Sequence, residues 1–195
     1  HKKAKISLPG GCAIGTRPVN LHLFALKKLG AKIKIKNGYI IAEAKNGLSG
    51  ANISFPNISV GATENALLAA FYAKGKTVLR NCAIEPEIID LGNCLNAMGA
   101  KITGHGTDTI IIEGVDTLSD ASHRVIADRI EAGTFAIAAA VTQGDITLRD
   151  INPVYLNALF AVLEQTGATI QIGEDWARIS SNARATSVDI ATQPY

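Results

Sequence analysis

Pro86-Glu87-Ile88-Ile89-Asp90-Leu91-Gly92-Asn93-Cys94-Leu95-Asn96-Ala97-Met98-Gly99-Ala100-Lys101-Ile102 decides the fold, because its pattern occurs three times in the chain. The same grammar runs from Pro18 to Gly30-Ala31-Lys32-Ile33 and from Pro153 to Gly167-Ala168-Thr169-Ile170. The prolines stand 68 and 67 residues apart, and the glycines 69 and 68. Proline suits a first helical turn, where no amide hydrogen is needed, and glycine suits the left-handed cap that ends a helix. Between them Ile88, Leu91, Leu95 and Leu156, Leu159, Leu163 recur at the spacing of one helical face. The same places in the first copy are Val19, His22 and Leu26, so a histidine stands where the others carry leucine. Local rules broken in this way often mark function.

After each glycine the pattern switches to period two. The expected strand pairs are Lys32–Ile35 with Tyr39–Ala44, Lys101–Thr103 with Thr109–Glu113, and Thr169–Ile172 with Trp176–Ser180. Their turns, such as Lys36-Asn37-Gly38 and Gly104-His105-Gly106, carry hairpin residues. Upstream, Gly61–Lys74 and Gly133–Gln143 read as alanine-rich buried helices, followed by the matching strands Gly75–Asn81 and Gly144–Asp150. A further strand, Asn52–Phe55 or Arg124–Ile126, precedes each helix. The expected fold is α/β (α+β) in content, built from βαβαββ modules of about 70 residues. It is not the alternating βαβα of a doubly wound sheet, and the helices need neighbours against which to bury their leucine faces.

Composition narrows the class. With 195 residues, 18% charged and 47% hydrophobic, the chain can form a large core and is not disordered. Its 19 basic and 17 acidic side chains give a net charge of +2, which predicts no broad footprint for nucleic acid or anionic lipid, although a local pocket can still be basic. Cys12, Cys82 and Cys94 form neither a zinc pattern nor a disulfide framework. No apolar run reaches membrane-spanning length. These features predict a soluble cytoplasmic protein with no metal, no cofactor, no nucleic-acid partner and no membrane partner. The chain opens at His1 and has its one methionine, Met98, inside a helical pattern, so it is expected to be an internal piece of a longer protein.

Chemistry is expected first at Ser7-Leu8-Pro9-Gly10-Gly11-Cys12-Ala13-Ile14-Gly15-Thr16-Arg17-Pro18, a glycine-rich loop leading into a helix. A thiol beside Arg17 favours thiolate, and helix-start amides with Arg17 suit an anionic oxygen. On composition alone Cys12 reads equally as an ordinary small loop residue. Cys82 and Cys94 read as core. In Asn57-Ile58-Ser59-Val60-Gly61-Ala62-Thr63, Ser59 is placed to cap a helix and Gly61 to admit a ligand close to the backbone, and simple capping explains the motif as well. Asp128-Arg129-Ile130-Glu131 and Glu85-Pro86-Glu87 are helix starts or walls of a cleft. His105 and His123 lack metal-ligand spacing, and Lys27, Lys28, Lys32, Lys34 and Lys36 read as a solvated face.

Taken together, Leu8 to His22 resembles the active-site loop of the UDP-N-acetylglucosamine enolpyruvyl transferase family. Ser59-Val60-Gly61-Ala62-Thr63, Glu85-Pro86-Glu87-Ile88 and Asp128 to Thr134 resemble further family segments in order. The resemblance implies transfer of the enolpyruvyl group of phosphoenolpyruvate to the 3-hydroxyl of UDP-N-acetylglucosamine with release of phosphate, the first committed step of peptidoglycan precursor synthesis. It also implies a two-lobed inside-out α/β barrel. Carried over, Cys12 is the catalytic proton donor and can add covalently to phosphoenolpyruvate, and Arg17 holds phosphate. Pro18, Val19, Asn20, Leu21 and His22, with Asn57, Ile58, Ser59, Val60 and Gly61, contact the UDP-sugar, while Glu85, Asp128 and Arg129 belong to the cleft or hinge.

Two positions depart from the commoner family pattern: Asn20, in place of an aspartate, can still accept from and donate to a uracil edge, and Asn57, in place of a lysine, removes a charge contact. The family's lysine-asparagine pair, its other phosphate-binding arginines and its aspartate base have no counterpart in the 195 residues, so the remainder of the protein's own chain is an implied partner. Residues 1–126 are expected in the lobe bearing the cysteine loop and 127–195 in the second. The competing readings are a non-catalytic repeat scaffold and an RNA terminal-phosphate cyclase built on similar modules.

Overall fold

A computed structural model describes residues 2–11, 15 and 17–192. The chain divides into two compact units, His1–His123 and Arg124–Tyr195.

In the first unit β1 (Lys3–Ser7) leads to α1 (Asn20–Lys28), β2 (Lys32–Lys36) and β3 (Tyr39–Glu43), and the strands form an antiparallel sheet in the order β1-β3-β2. A complete module follows: β4 (Asn52–Ser54), α2 (Val60–Ala70), β5 (Lys76–Arg80), α3 (Pro86–Ala97), β6 (Lys101–Thr103) and β7 (Thr109–Glu113). Its sheet order is β4-β5-β7-β6, with β4 parallel to β5 and the other pairs antiparallel. The core gathers Ala25 and Leu29 of the first helical segment, Ala62, Ala66, Leu67 and Ala70 of α2, Ile88 and Leu95 of α3, and Ile53, Leu79, Ile110 and Ile112 from the sheet. Each buried leucine or isoleucine contributes about 1.5–3 kcal/mol, opposed by the entropy of ordering the chain.

The second unit repeats the module with α4 (Arg129–Val141), β8 (Asp145–Arg149), a 3₁₀ turn over Pro153–Leu156, α5 (Asn157–Gln165), β9 (Thr169–Ile172) and β10 (Trp176–Ser180). Its sheet order is β8-β10-β9. Alanine makes α4 a low-relief surface, so Ala132, Ala136, Ala139 and Ala140 pack closely with Leu156, Phe160, Leu163 and Ile179.

The predicted glycine caps form the same turn three times. Gly30, Gly99 and Gly167 adopt φ of 98°, 100° and 98°. Their amides donate to Lys27, Asn96 and Glu164, and the next amides, of Ala31, Ala100 and Ala168, donate to Leu26, Leu95 and Leu163. This double bond pattern satisfies carbonyls that the helix end would otherwise strand.

Four expectations need correction. Arg124–Ile126 is not a strand: among the described residues it joins no ladder, and Val125 is 72% exposed. Extended backbone counts as sheet only when a neighbour takes up its amides and carbonyls. Cys94 is half-buried rather than core. The buried residues of α1 are Leu23 and Ala25, followed by Leu29, instead of the stripe Val19, His22 and Leu26. Pro18 stands two places before α1, and Pro153 opens a 3₁₀ turn instead of an α-helix.

Gly92, in the middle of α3, has a specific reason: a Cβ there would strike the His105 ring. His105 lies on that gap with Nε2 3.0 Å from Asn93 Oδ1, and burial lowers its pKa. Gly99 differs, since nothing stands within 4 Å of its missing Cβ, leaving backbone conformation as the whole constraint. Gly99→Ala is therefore expected to lower unfolding free energy by about 1–2 kcal/mol, read as a shift in urea midpoint at unchanged slope.

Candidate functional site

The site grows from three helix starts at one end of the first unit. Ser59 is extended (φ −153°) and its hydroxyl accepts the Ala62 amide at 3.3 Å, so the predicted cap forms. Thr63, fully buried, donates its hydroxyl to Ser59 O at 2.8 Å and accepts the Ala83 amide at 3.1 Å. One hydroxyl thus ties the first turn of α2 to the segment that enters α3. Beside it, Asn81 (φ 56°) donates Nδ2 to Phe55 O at 2.8 Å, fixing the end of β4 to the end of β5.

Helix α1 joins this arrangement through one close approach. A Cβ on Gly61 would stand 3.3 Å from His22 Nε2, so the first turns of α1 and α2 lie side by side. Gly61 leaves room for the imidazole that stands at the leucine position of the repeat. His22 Nδ1 is buried and meets no hydrogen-bond partner among the described residues. The sequence-predicted residues Asn20, Leu21, His22, Ser59, Val60 and Gly61 therefore come together. Asn20 is exposed, and Leu21 and Val60 are half-buried. Two adjacent helix N-termini concentrate unsatisfied amides and positive dipole ends, a setting that favours an anion. Val19 is the cap residue of α1 and offers no side-chain bond to its amides.

Arg17, Pro18, Asn57 and Ile58 are exposed on the approach to these turns, and Ile58 is 51% accessible. Cys12 lies outside the described residues. Of the other thiols, Cys82 is 1% exposed and its pKa is pushed up to about 12 by burial, with the Asp108 charge also raising it and a backbone bond at Ile110 offsetting part of the rise. It is not a nucleophile at neutral pH.

The start of α3 supplies carboxylates. Glu85 is its cap residue without a capping bond, and Glu85 Oε2 is buried with no hydrogen-bond partner among the described residues. Glu64, on α2, faces Glu87 closely enough to feel its charge. Burial, then that charge, raises the Glu64 pKa. Glu64 was not anticipated; an acid inside the alanine-leucine run of α2 was the available signal. In the second unit Asp128 is an exposed cap that accepts the amides of Ile130 at 2.8 Å and Glu131 at 3.1 Å, and Arg129 is the first residue of α4. Among the described residues no His, Cys, Asp and Glu cluster suited to a metal occurs.

Because native Glu64 holds its proton more tightly than the unfolded chain does, its contribution to stability falls as pH rises through the carboxylate range. Glu64→Gln is expected to raise the melting temperature at neutral pH and to change it less in mild acid, as thermal unfolding at the two pH values would show.

Comparison with known proteins gives the chain its family and its fold relatives. The family described as EPSP synthase (3-phosphoshikimate 1-carboxyvinyltransferase) matches residues 1–195. A UDP-N-acetylglucosamine 1-carboxyvinyltransferase of Shewanella woodyi is 54% identical over 193 residues, covering 98% of this chain and 46% of the relative. The Allorhizobium ampelinum protein of the same name is 54% identical over 195 residues, covering 99% and 45%. The chain thus spans about half the length of these relatives. Among solved structures, the enolpyruvyl transferase NikO from Streptomyces tendae superposes with a TM-score of 0.73 at 21% identity, over 92% of this chain and 43% of that one. An EPSP synthase from Acinetobacter baumannii gives 0.64 at 22% identity, with the same coverage. These two show the fold.

Proposed function

This chain belongs to the EPSP synthase (3-phosphoshikimate 1-carboxyvinyltransferase) family, and from that premise we propose that it is part of an enzyme transferring enolpyruvate to UDP-N-acetylglucosamine. The relatives at 54% identity carry that name, and the observation that supports the reading is the pairing of the α1 and α2 starts through His22 and Gly61. Both substrates are anionic, and the paired amide ends suit the phosphates of a sugar nucleotide.

In the reaction, the sugar 3-hydroxyl forms a bond to C2 of phosphoenolpyruvate, the bond from that carbon to the phosphate oxygen breaks, and phosphate leaves. We assign Cys12 as the donor that protonates C3 as the sugar hydroxyl, giving up its own proton to a base, adds at C2; a C3 proton is then lost as phosphate leaves, restoring the double bond, and the same thiol can add to phosphoenolpyruvate. Arg17, exposed at the foot of α1, pairs with phosphate. Pro18 to His22 and Asn57 to Gly61 form the sugar-nucleotide wall, with the Ser59 cap and the Thr63 hydroxyl holding it in shape. Asn20 and Asn57 present amides in place of charges, so this wall depends on hydrogen bonding more than on ion pairing. We assign Glu85 to a lobe of residues 1–126, and Asp128 and Arg129 to a second lobe that begins at residue 127. The enzyme works in the cytoplasm, at the first committed step of peptidoglycan precursor synthesis.

The test uses the full-length protein. Phosphate release from phosphoenolpyruvate should require UDP-N-acetylglucosamine, and an epoxide phosphonate should label Cys12 in preference to Cys82 and Cys94. Arg17→Ala should raise KM for phosphoenolpyruvate by about tenfold or more, the loss of one charged hydrogen bond, while leaving UDP-N-acetylglucosamine affinity nearly unchanged. Phosphate release independent of the sugar nucleotide would sink the assignment.

Residues 1–195 alone should show no measurable turnover. General-base help and electrostatic clamping are each worth about 10²–10⁴-fold, and the groups expected to supply them have no counterpart in this chain. Turnover within tenfold of full length would place the whole chemistry here.

A further inference from the structure

The small net charge of the chain conceals a division. Residues 1–45 hold ten Lys or Arg against one acid, Glu43, whereas residues 46–195 hold nine against sixteen. An average over the whole length hides this, and the expectation of no anionic-lipid footprint rested on that average.

Register concentrates the excess on one face of the first sheet. Lys3 pairs with Glu43 and Glu43 with Lys32, Lys5 with Ile41 and Ile41 with Lys34, and Tyr39 with Lys36. Side chains alternate along a strand, so Lys3 and Lys5 form one column on β1 and Lys32, Lys34 and Lys36 a second on β2. Glu43, Ile41 and Tyr39 run between them. The columns stand about 10 Å apart, with lysines about 7 Å apart along each. All five lysines are exposed, and none forms an ion pair among the described residues. Ala4, Ile6, Ile33, Ile35, Ile40 and Ala42 occupy the opposite face. The desolvation cost of unpaired ammonium groups excludes the lysine face from any packed core.

We propose that this face docks the protein on an anionic phospholipid surface. Clusters of this size are attracted to acidic lipid as point charges, with no demand for directional bonds. Lysine, compact and strongly hydrated, suits that role, whereas recognition of nucleic-acid phosphates draws on bidentate arginine and free aromatic faces. The face has no arginine, and its one ring, Tyr39, is covered by Lys5 Nζ at 4.3 Å from the centroid. Three strands also present a plane rather than a groove. Residues 46–195, with nine basic against sixteen acidic side chains, offer no comparable basic excess. None of this rests on the proposed reaction.

The experiment is co-sedimentation of the full-length protein with phosphatidylcholine vesicles, with and without phosphatidylglycerol. Protein should pellet only with the acidic lipid and be released by added salt. A triple variant, Lys5→Gln with Lys34→Gln and Lys36→Gln, should lose about tenfold or more in partition coefficient. The same three positions changed to Arg should retain binding, and Lys101→Gln, exposed on β6, should bind like the wild type. The proposal is overturned if wild-type protein stays in the supernatant, pellets equally with neutral vesicles, or binds equally well as the glutamine triple variant. Preference for single-stranded DNA over acidic vesicles at equal salt would also overturn it, in favour of a nucleic-acid partner.

Discussion

Everything in this architecture depends on a helix end. An α-helix leaves its last carbonyls without partners, and the left-handed glycine after α1, α3 and α5 returns two amides to them. That turn reverses the chain and starts a strand in the same stroke. The hairpin then folds back, through Asn37 and Gly38 (φ 51° and 74°) in the first copy, and in the other two copies its isoleucines, Ile102, Ile110 and Ile112 or Ile170 and Ile179, share a core with the helix just finished. With the helix ends fixed against sheet edges, the helix starts collect at the opposite end. The meeting of His22 with Gly61, and of Glu64 with Glu87, follows from that arrangement.

The repeat is the part of the fold most legible in sequence. The strands Lys101–Thr103, Thr109–Glu113, Thr169–Ile172 and Trp176–Ser180 lie where alternation puts them, because a two-residue period and a glycine turn are local signals. What alternation cannot see is a partner. Arg124–Ile126 has strand-like residues but joins no ladder among the described residues, and pairing is a tertiary fact. On α1 the broken rule at His22 was legible but its result was not: Val19, His22 and Leu26 are half-buried, and the buried contacts pass to Leu23, Ala25 and Leu29. Cys94 lies beside leucines on α3 yet remains half-buried, since a single helix face is wider than the strip it buries.

The site was legible as a set of motifs and not as a geometry. Ser59 announced its cap, Gly61 its open backbone and His22 its broken rule, but their adjacency joins residues about 40 positions apart. Glu64 escaped because its interest comes from Glu87 on another helix. The charge pattern of the first sheet was legible in principle, yet whole-chain arithmetic cancelled it against acids elsewhere.

The Thr63 hydroxyl carries a consequence for what evolution can try at that position. Its proton goes to Ser59 O and its lone pair receives the Ala83 amide, inside a site with no access to water. To a substitution table the nearest replacement is valine, equal in shape and at home in an alanine-leucine helix. Here valine would strand the Ala83 amide, while Ser59 O keeps the Thr63 backbone amide, and serine, poorer in packing, is the gentler neighbour. A position that looks hydrophobic by context is thus closed to hydrophobes, and drift in this helix must pass around it.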